Sequence, residues 1–117
     1  MLSIYATSTP YIQVSITNEE GINPTGDEVQ FAFLGPYTSD TAAKDAVPTA
    51  STTYYTGAWQ STSPSGGVYG ANTYTAIILV GPDGGVVTLT TGNYLVIVRV
   101  VDNPEIPIMQ SGLLVVS

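Results

Sequence analysis

The stretch Leu89-Thr90-Thr91-Gly92-Asn93-Tyr94, running on into Leu95-Val96-Ile97-Val98-Arg99-Val100-Val101, decides the fold class of this chain. Its second half is β-branched and apolar at almost every position, which suits an extended strand packed on both faces and disfavours a helix. Its first half has the form Leu-x-x-Gly-x-Tyr-x-Val, with a Gly turn just before a Tyr that opens a strand. In β-sandwiches that spacing often forms a tyrosine corner, in which the Tyr hydroxyl bonds back to the backbone of the preceding loop. Tyr94 and Gly92 are therefore the expected structural residues of the turn.

Outward from this strand the side-chain period is 2 rather than 3.6, so strands are expected throughout. Tyr11 to Thr17 alternates Ile12, Val14 and Ile16 against Gln13, Ser15 and Thr17. Glu28 to Leu34 places Val29, Phe31 and Phe33 on one face and should end at Gly35-Pro36. Thr52 to Gln60, rich in Thr and Tyr and holding Trp59, reads as a third strand, and Asn72 to Val80 as a fourth. Val86 to Thr90 is a short fifth, Tyr94 to Val101 the sixth and Ile108 to Val116 the last. Turn formers separate them at Asn18 to Asp27, Ser61 to Ala71, Gly81 to Gly85 and Asp102 to Pro107. Helix is expected only as one turn near Thr41 to Val47, capped by Ser39 or Asp40. About seven strands with turn-rich connections predict a single all-β domain, a Greek-key sandwich of immunoglobulin-like type, over residues 1–117.

Composition limits the chemistry. Among 117 residues there are nine acids, two bases and no His or Cys, giving a net charge of −7. Without His or Cys the common general bases and activated nucleophiles are missing, so an enzyme is not expected. Carboxylates could act only as pairs, and Glu19-Glu20, Asp27-Glu28 and Asp102 with Glu105 all fall in or beside turns, where acids serve solvation. Asp102-Asn103-Pro104-Glu105 has too few carboxylates for a calcium cage. Gly81-Pro82-Asp83-Gly84-Gly85 lacks the Lys-Ser/Thr ending of a phosphate loop, and Asn23-Pro24-Thr25 has Pro in the position that disqualifies a glycosylation sequon. No cofactor or metal is predicted. Nucleic acid is not an expected partner, because phosphate binding needs clustered Lys and Arg. Nor is a membrane: apolar runs such as Ala76 to Val80 are far shorter than a spanning helix, and Met1 to Tyr5 lacks the pattern of a secretory signal.

Charged residues make up 9% of the chain, against roughly 25% in an average domain. Three strands are also apolar on both faces. If Tyr94, Val96, Val98 and Val100 face the core, then Leu95, Ile97 and Val101 face outward beside Arg99. Ile77 and Leu79 do the same in the fourth strand, and in the last strand Met109, Leu113 and Val115 oppose Ile108, Leu114 and Val116. A sheet face exposed to water should be polar, so these outer faces need a cover. It is either the chain's own segment Tyr37 to Ser51 or its first residues, or it is a second polypeptide. On the second reading Ile77, Leu79, Leu95, Ile97 and Arg99 form an interface. Arg99 should pair with an acid, either Asp102 or Glu105 or one from a neighbour, since a covered and unpaired guanidinium is costly. Trp59, Tyr54, Tyr55 and Tyr69 could alternatively form an aromatic platform for sugar rings, with core packing as the simpler use for them.

Several runs resemble small immunoglobulin-like virion proteins of tailed bacteriophages infecting actinobacteria, encoded among the head and head-to-tail genes. They are Tyr74-Thr75-Ala76-Ile77-Ile78-Leu79-Val80-Gly81-Pro82-Asp83, Leu89 to Tyr94, and Val98 to Ile108. Asn23-Pro24-Thr25-Gly26, Val29 to Phe33 and Gly57-Ala58-Trp59 fit the same pattern, so the resemblance spans roughly residues 12 to 117. Its motifs are structural, and it implies a fold and a setting without a catalytic residue. The implied role is a capsid decoration or minor head protein, made in the host cytoplasm and carried in the virion, which packs against the major capsid protein or its own copies. A head-to-tail connector component and a carbohydrate- or receptor-binding module are the alternatives.

Overall fold

The computed structural model describes residues 2–17, 26–60, 73–101 and 108–117, with the backbone alone for 17, 73 and 108–111. The strands are β1 (Leu2–Ile4), β2 (Tyr11–Thr17), β3 (Glu28–Tyr37), β4 (Tyr55–Thr56), β5 (Ala58–Trp59), β6 (Thr73–Leu79), β7 (Gly92–Val101) and β8 (Ile108–Val116), with one short helix, α1 (Asp40–Lys44). They form two sheets, a five-stranded one in the order β1-β8-β7-β3-β4 and a three-stranded one in the order β2-β6-β5. The fold is all-β, as the period-2 alternation requires.

The core lies between the sheets. β3 and β7 pair antiparallel, with Val29 opposite Val100, Phe31 opposite Val98 and Phe33 opposite Val96. Their inward side chains meet Ile12, Ile16, Tyr74, Ala76 and Ile78 from the smaller sheet, with Leu114 and Val116 of β8. Each large aliphatic group withdrawn from water contributes about 1.5–3 kcal/mol, so this cluster is the main source of stability.

Four departures from the expected strand map have local causes. β3 does not stop at Gly35-Pro36 but runs to Tyr37, and its register against β7 slips between Leu34 and Tyr37. A bulge accommodates the Pro, which has no N–H for the ladder. The expected strand Thr52 to Gln60 is two fragments in different sheets, because β4 pairs with β3 while β5 pairs with β6. The crossing point is Gly57, whose N–H still donates to the Val29 carbonyl at 2.9 Å. A Cβ at Gly57 would lie 2.5 Å from the Phe31 ring, so only Gly lets the chain pass that close. Val86 to Thr90 is not a strand; it makes one isolated bridge between Val87 and Val80 after the Gly81 to Gly85 turn. At the front of the chain, Leu2 to Ile4 adds an unexpected strand, pairing in parallel with β8.

The expected turns at Ser61 to Ala71 and Asp102 to Pro107, and residues 18–25 of the expected turn Asn18 to Asp27, lie outside the described residues. α1 matches the expected single turn, and Ser39 is its cap, its Oγ accepting from the Ala42 N–H at 3.1 Å. Asp40 in the first turn and Lys44 in the last complement the helix dipole.

Candidate interaction surface

The two sheets turn very different outer faces to their surroundings. On the five-stranded sheet, the outward residues Ala32, Leu95 and Ile97 form a second buried cluster with Ala46, flanked by Leu34, Tyr54 and Leu113. The cover is the segment after β3: α1 packs on the sheet through Ala43, which is fully buried, and the chain then runs past Ala46 to Tyr54. Small Ala side chains let the backbone approach the sheet closely. Leu95 and Ile97 are 3% and 0% exposed within the single chain. The expectation that they form an interface with a second polypeptide is therefore corrected, because the chain's own Tyr37 to Ser51 region supplies the cover.

Ile77 and Leu79 lie elsewhere. They are half-buried on the outer face of the three-stranded sheet. Register places Leu79 beside Tyr11, and Ile77 between Gln13 on β2 and Ala58 on β5. Tyr11 is 59% exposed and Val86, reaching in from the loop after β6, is 51% exposed. Together with Thr56 and Gly57 they line a shallow apolar groove. Gln13, Ser15 and Thr75 continue the face, which carries no charged side chain from β2, β5 or β6 among the described residues. Sequence reasoning missed Tyr11 and Val86. The alternation of β2 already put Tyr11 on the outward face with Gln13, but Val86 is placed by a turn that periodicity does not reveal.

Arg99 occupies the rim of the covered face. Its Nε donates to Gln30 Oε1 at 2.6 Å, and its guanidinium carbon stands 3.6 Å from the centroid of the Tyr54 ring. Gln30 in turn donates through Nε2 to the Glu28 carboxylate. The guanidinium is thus linked to an acid through an amide, and stacking on Tyr54 supplies the rest of its stabilisation. Asp102 and Glu105, the expected partners, lie outside the described residues. Gln30 reaches Arg99 because β3 and β7 register the two opposite each other, a pairing that strand period does not reveal.

The structural residues Tyr94, Gly92 and Trp59 all serve the packing of the sandwich. Tyr94 is 2% exposed, and its hydroxyl donates to the Thr90 carbonyl at 2.8 Å, the hydrogen bond of a tyrosine corner. Gly92 lies so close to Pro36 that a Cβ would collide with the ring. Trp59 turns inward: its Nε1 donates to the Asp27 carbonyl at 2.9 Å, and its ring meets Tyr74 edge-on at 6.5 Å. Tyr55 also packs against the core between the sheets, and Tyr54 sits under Arg99 on the outer face of the five-stranded sheet. Trp59, Tyr54 and Tyr55 therefore do not share a platform for a sugar ring, and Tyr69 lies outside the described residues.

No family model, curated protein or solved structure matches the chain. Among the described residues there is no group of three or more acids that could hold a metal, and no helix long and apolar enough to cross a membrane. The chemistry this surface offers is apolar contact and backbone hydrogen bonding.

Proposed function

We propose that this chain is a non-enzymatic structural protein of a tailed-phage virion, a capsid decoration or minor head protein built on an immunoglobulin-type Greek-key sandwich. The observation that carries the reading is the uncharged outer face of β2, β6 and β5, where Tyr11, Ile77, Leu79 and Val86 remain accessible while the matching face of the other sheet is covered by the chain itself. An accessible apolar groove on a chain of low charge density suits a partner protein rather than bulk water. The immunoglobulin type is supported by the strand order, by β1 pairing in parallel with the last strand, and by the Tyr94 corner. The virion setting rests on the resemblance of Tyr74 to Asp83, Leu89 to Tyr94 and Val98 to Ile108 to phage head and head-to-tail proteins.

The test is to look for the protein in purified particles by mass spectrometry, and to locate it by antibody labelling of heads and tails. It should be found on the head. Labelling confined to the neck would make it a connector component. Absence from particles, together with binding to a glycan array, would replace the proposal with a sugar-binding module.

A further inference from the structure

We propose that two copies of this chain pair through β2, antiparallel across a two-fold axis, joining their three-stranded sheets into one continuous six-stranded sheet. The inference deepens the proposed function by naming a partner, a second copy, and the edge it uses.

The first observation is hydrogen-bond alternation. Among the described residues β2 is an outer strand of its sheet. The Val80 N–H donates to the Pro10 carbonyl, while on the far side of β6 the Gln60 N–H donates to the Thr75 carbonyl. In an antiparallel ladder these bonds alternate along the strand, so Ile12, Val14 and Ile16 bond to β6. The backbone N–H and C=O groups of Tyr11, Gln13, Ser15 and Thr17 point away from β6, to the open edge. Natural proteins usually blunt such an edge with Lys, Pro or a bulge. β2 has none of these over Tyr11 to Thr17, and it pairs with β6 in unbroken register.

The second observation is charge. Each copy carries −7, so self-association must use a surface that does not concentrate that field. Of the described acids, Asp27 and Glu28 stand at the start of β3 and Asp40 and Asp45 around α1, while Asp83, in the turn after β6, bonds through its N–H to Thr9 just ahead of β2. Glu19 and Glu20, which follow β2 in the sequence, lie outside the described residues, so the neutral stretch is Tyr11 to Thr17 itself.

The third is self-complementarity. In the register of full overlap Val14 meets Val14 of the other copy, Ile12 meets Ile16, and Gln13 meets Ser15. Core-side apolar residues and outer polar residues are thus each matched with their own kind. Seven residues at about 3.3 Å each make an edge roughly 23 Å long, too little by itself for the ~1,200 Å² of a stable interface. The pair is therefore weak in dilute solution and forms when copies are held close together, as on a particle surface.

Sedimentation equilibrium of the purified chain from micromolar to millimolar concentration should show a monomer–dimer equilibrium that tightens with added salt, as screening removes the acidic repulsion. Gln13→Glu with Ser15→Asp sets like charges directly opposite each other at two symmetric positions, and should raise the dimer Kd about tenfold or more. Val14→Cys, in a chain with no native cysteine, should give a disulfide-linked dimer on mild oxidation, and this variant decides the matter if the acidic one fails to fold. A chain that stays monomeric at millimolar concentration, or a dimer whose Kd the acidic variant leaves unchanged and Val14→Cys does not trap, overturns the proposal. Either result together with normal presence in particles removes only the β2 pairing, whereas absence from particles removes the proposed function itself.

Discussion

β6 and β7 present the same pattern, apolar side chains at consecutive positions, yet their outer faces meet different ends. Leu95 and Ile97 of β7 are sealed under α1 and the segment behind it, while Ile77 and Leu79 of β6 stay half-open beside Tyr11. The difference lies in the connecting segments available to each sheet. β3 leads into a capped helical turn with Ala43 and Ala46, small enough to lie flat on the sheet. Among the described residues no comparable segment lies over the smaller sheet. A doubly apolar strand therefore signals a cover without saying whose it is, and only the side left open is available to a partner.

The sharpest way to break this comparison is to substitute the two isoleucines separately. Ile97→Ala should cost about 2–5 kcal/mol, because a fully buried side chain leaves a cavity. Ile77→Thr should cost less than about 1 kcal/mol, since Ile77 is only half-buried and Thr suits a strand. Urea denaturation midpoints of the two variants would decide it, and equal losses would mean that the faces are not distinct.

Gly57→Ala tests the crossing between sheets on which the open groove depends. Overpacking against Phe31 should destabilise by about 1–3 kcal/mol, and it should perturb the near-ultraviolet circular dichroism of Trp59, two residues on. An unchanged spectrum and midpoint would show that the chain passes Phe31 with room to spare.

Tyr94→Phe removes the corner hydrogen bond to Thr90 and should lower stability by about 1 kcal/mol. Ser39→Ala removes the cap of the covering helix and should cost about 0.5–1 kcal/mol. Its sharper readout is hydrogen exchange, which should quicken at Ala43 and Asp45, whose N–H groups bond within that turn, and stay unchanged in β6. Ile77→Thr with Leu79→Thr should cost less than about 1 kcal/mol per site and, on the proposed function, weaken attachment to particles.

Features that depend on near neighbours were legible in the residues: the strand period of Tyr11 to Thr17 and Glu28 to Leu34, a helix cap at Ser39 or Asp40, and the Gly92 to Tyr94 turn. The candidate site was legible only in part. Ile77 and Leu79 are recognisable as doubly apolar, but Leu95 and Ile97 carry the same signature and are buried by the chain itself.

By itself, then, the sequence determined that the chain is all-β, where most strands run, and that it has neither a thiol nor an imidazole to work with. Only the tertiary structure decided which strands share a sheet, that Thr52 to Gln60 divides at Gly57, and which apolar face is sealed. It also decided where the alternation breaks. Against β7 the register of β8 slips between Gln110 and Gly112, so a single in-and-out alternation does not run the length of that strand. The reason is physical: side-chain period is a property of one strand, whereas bulges, sheet membership and cover are settled by pairing between residues far apart in the chain.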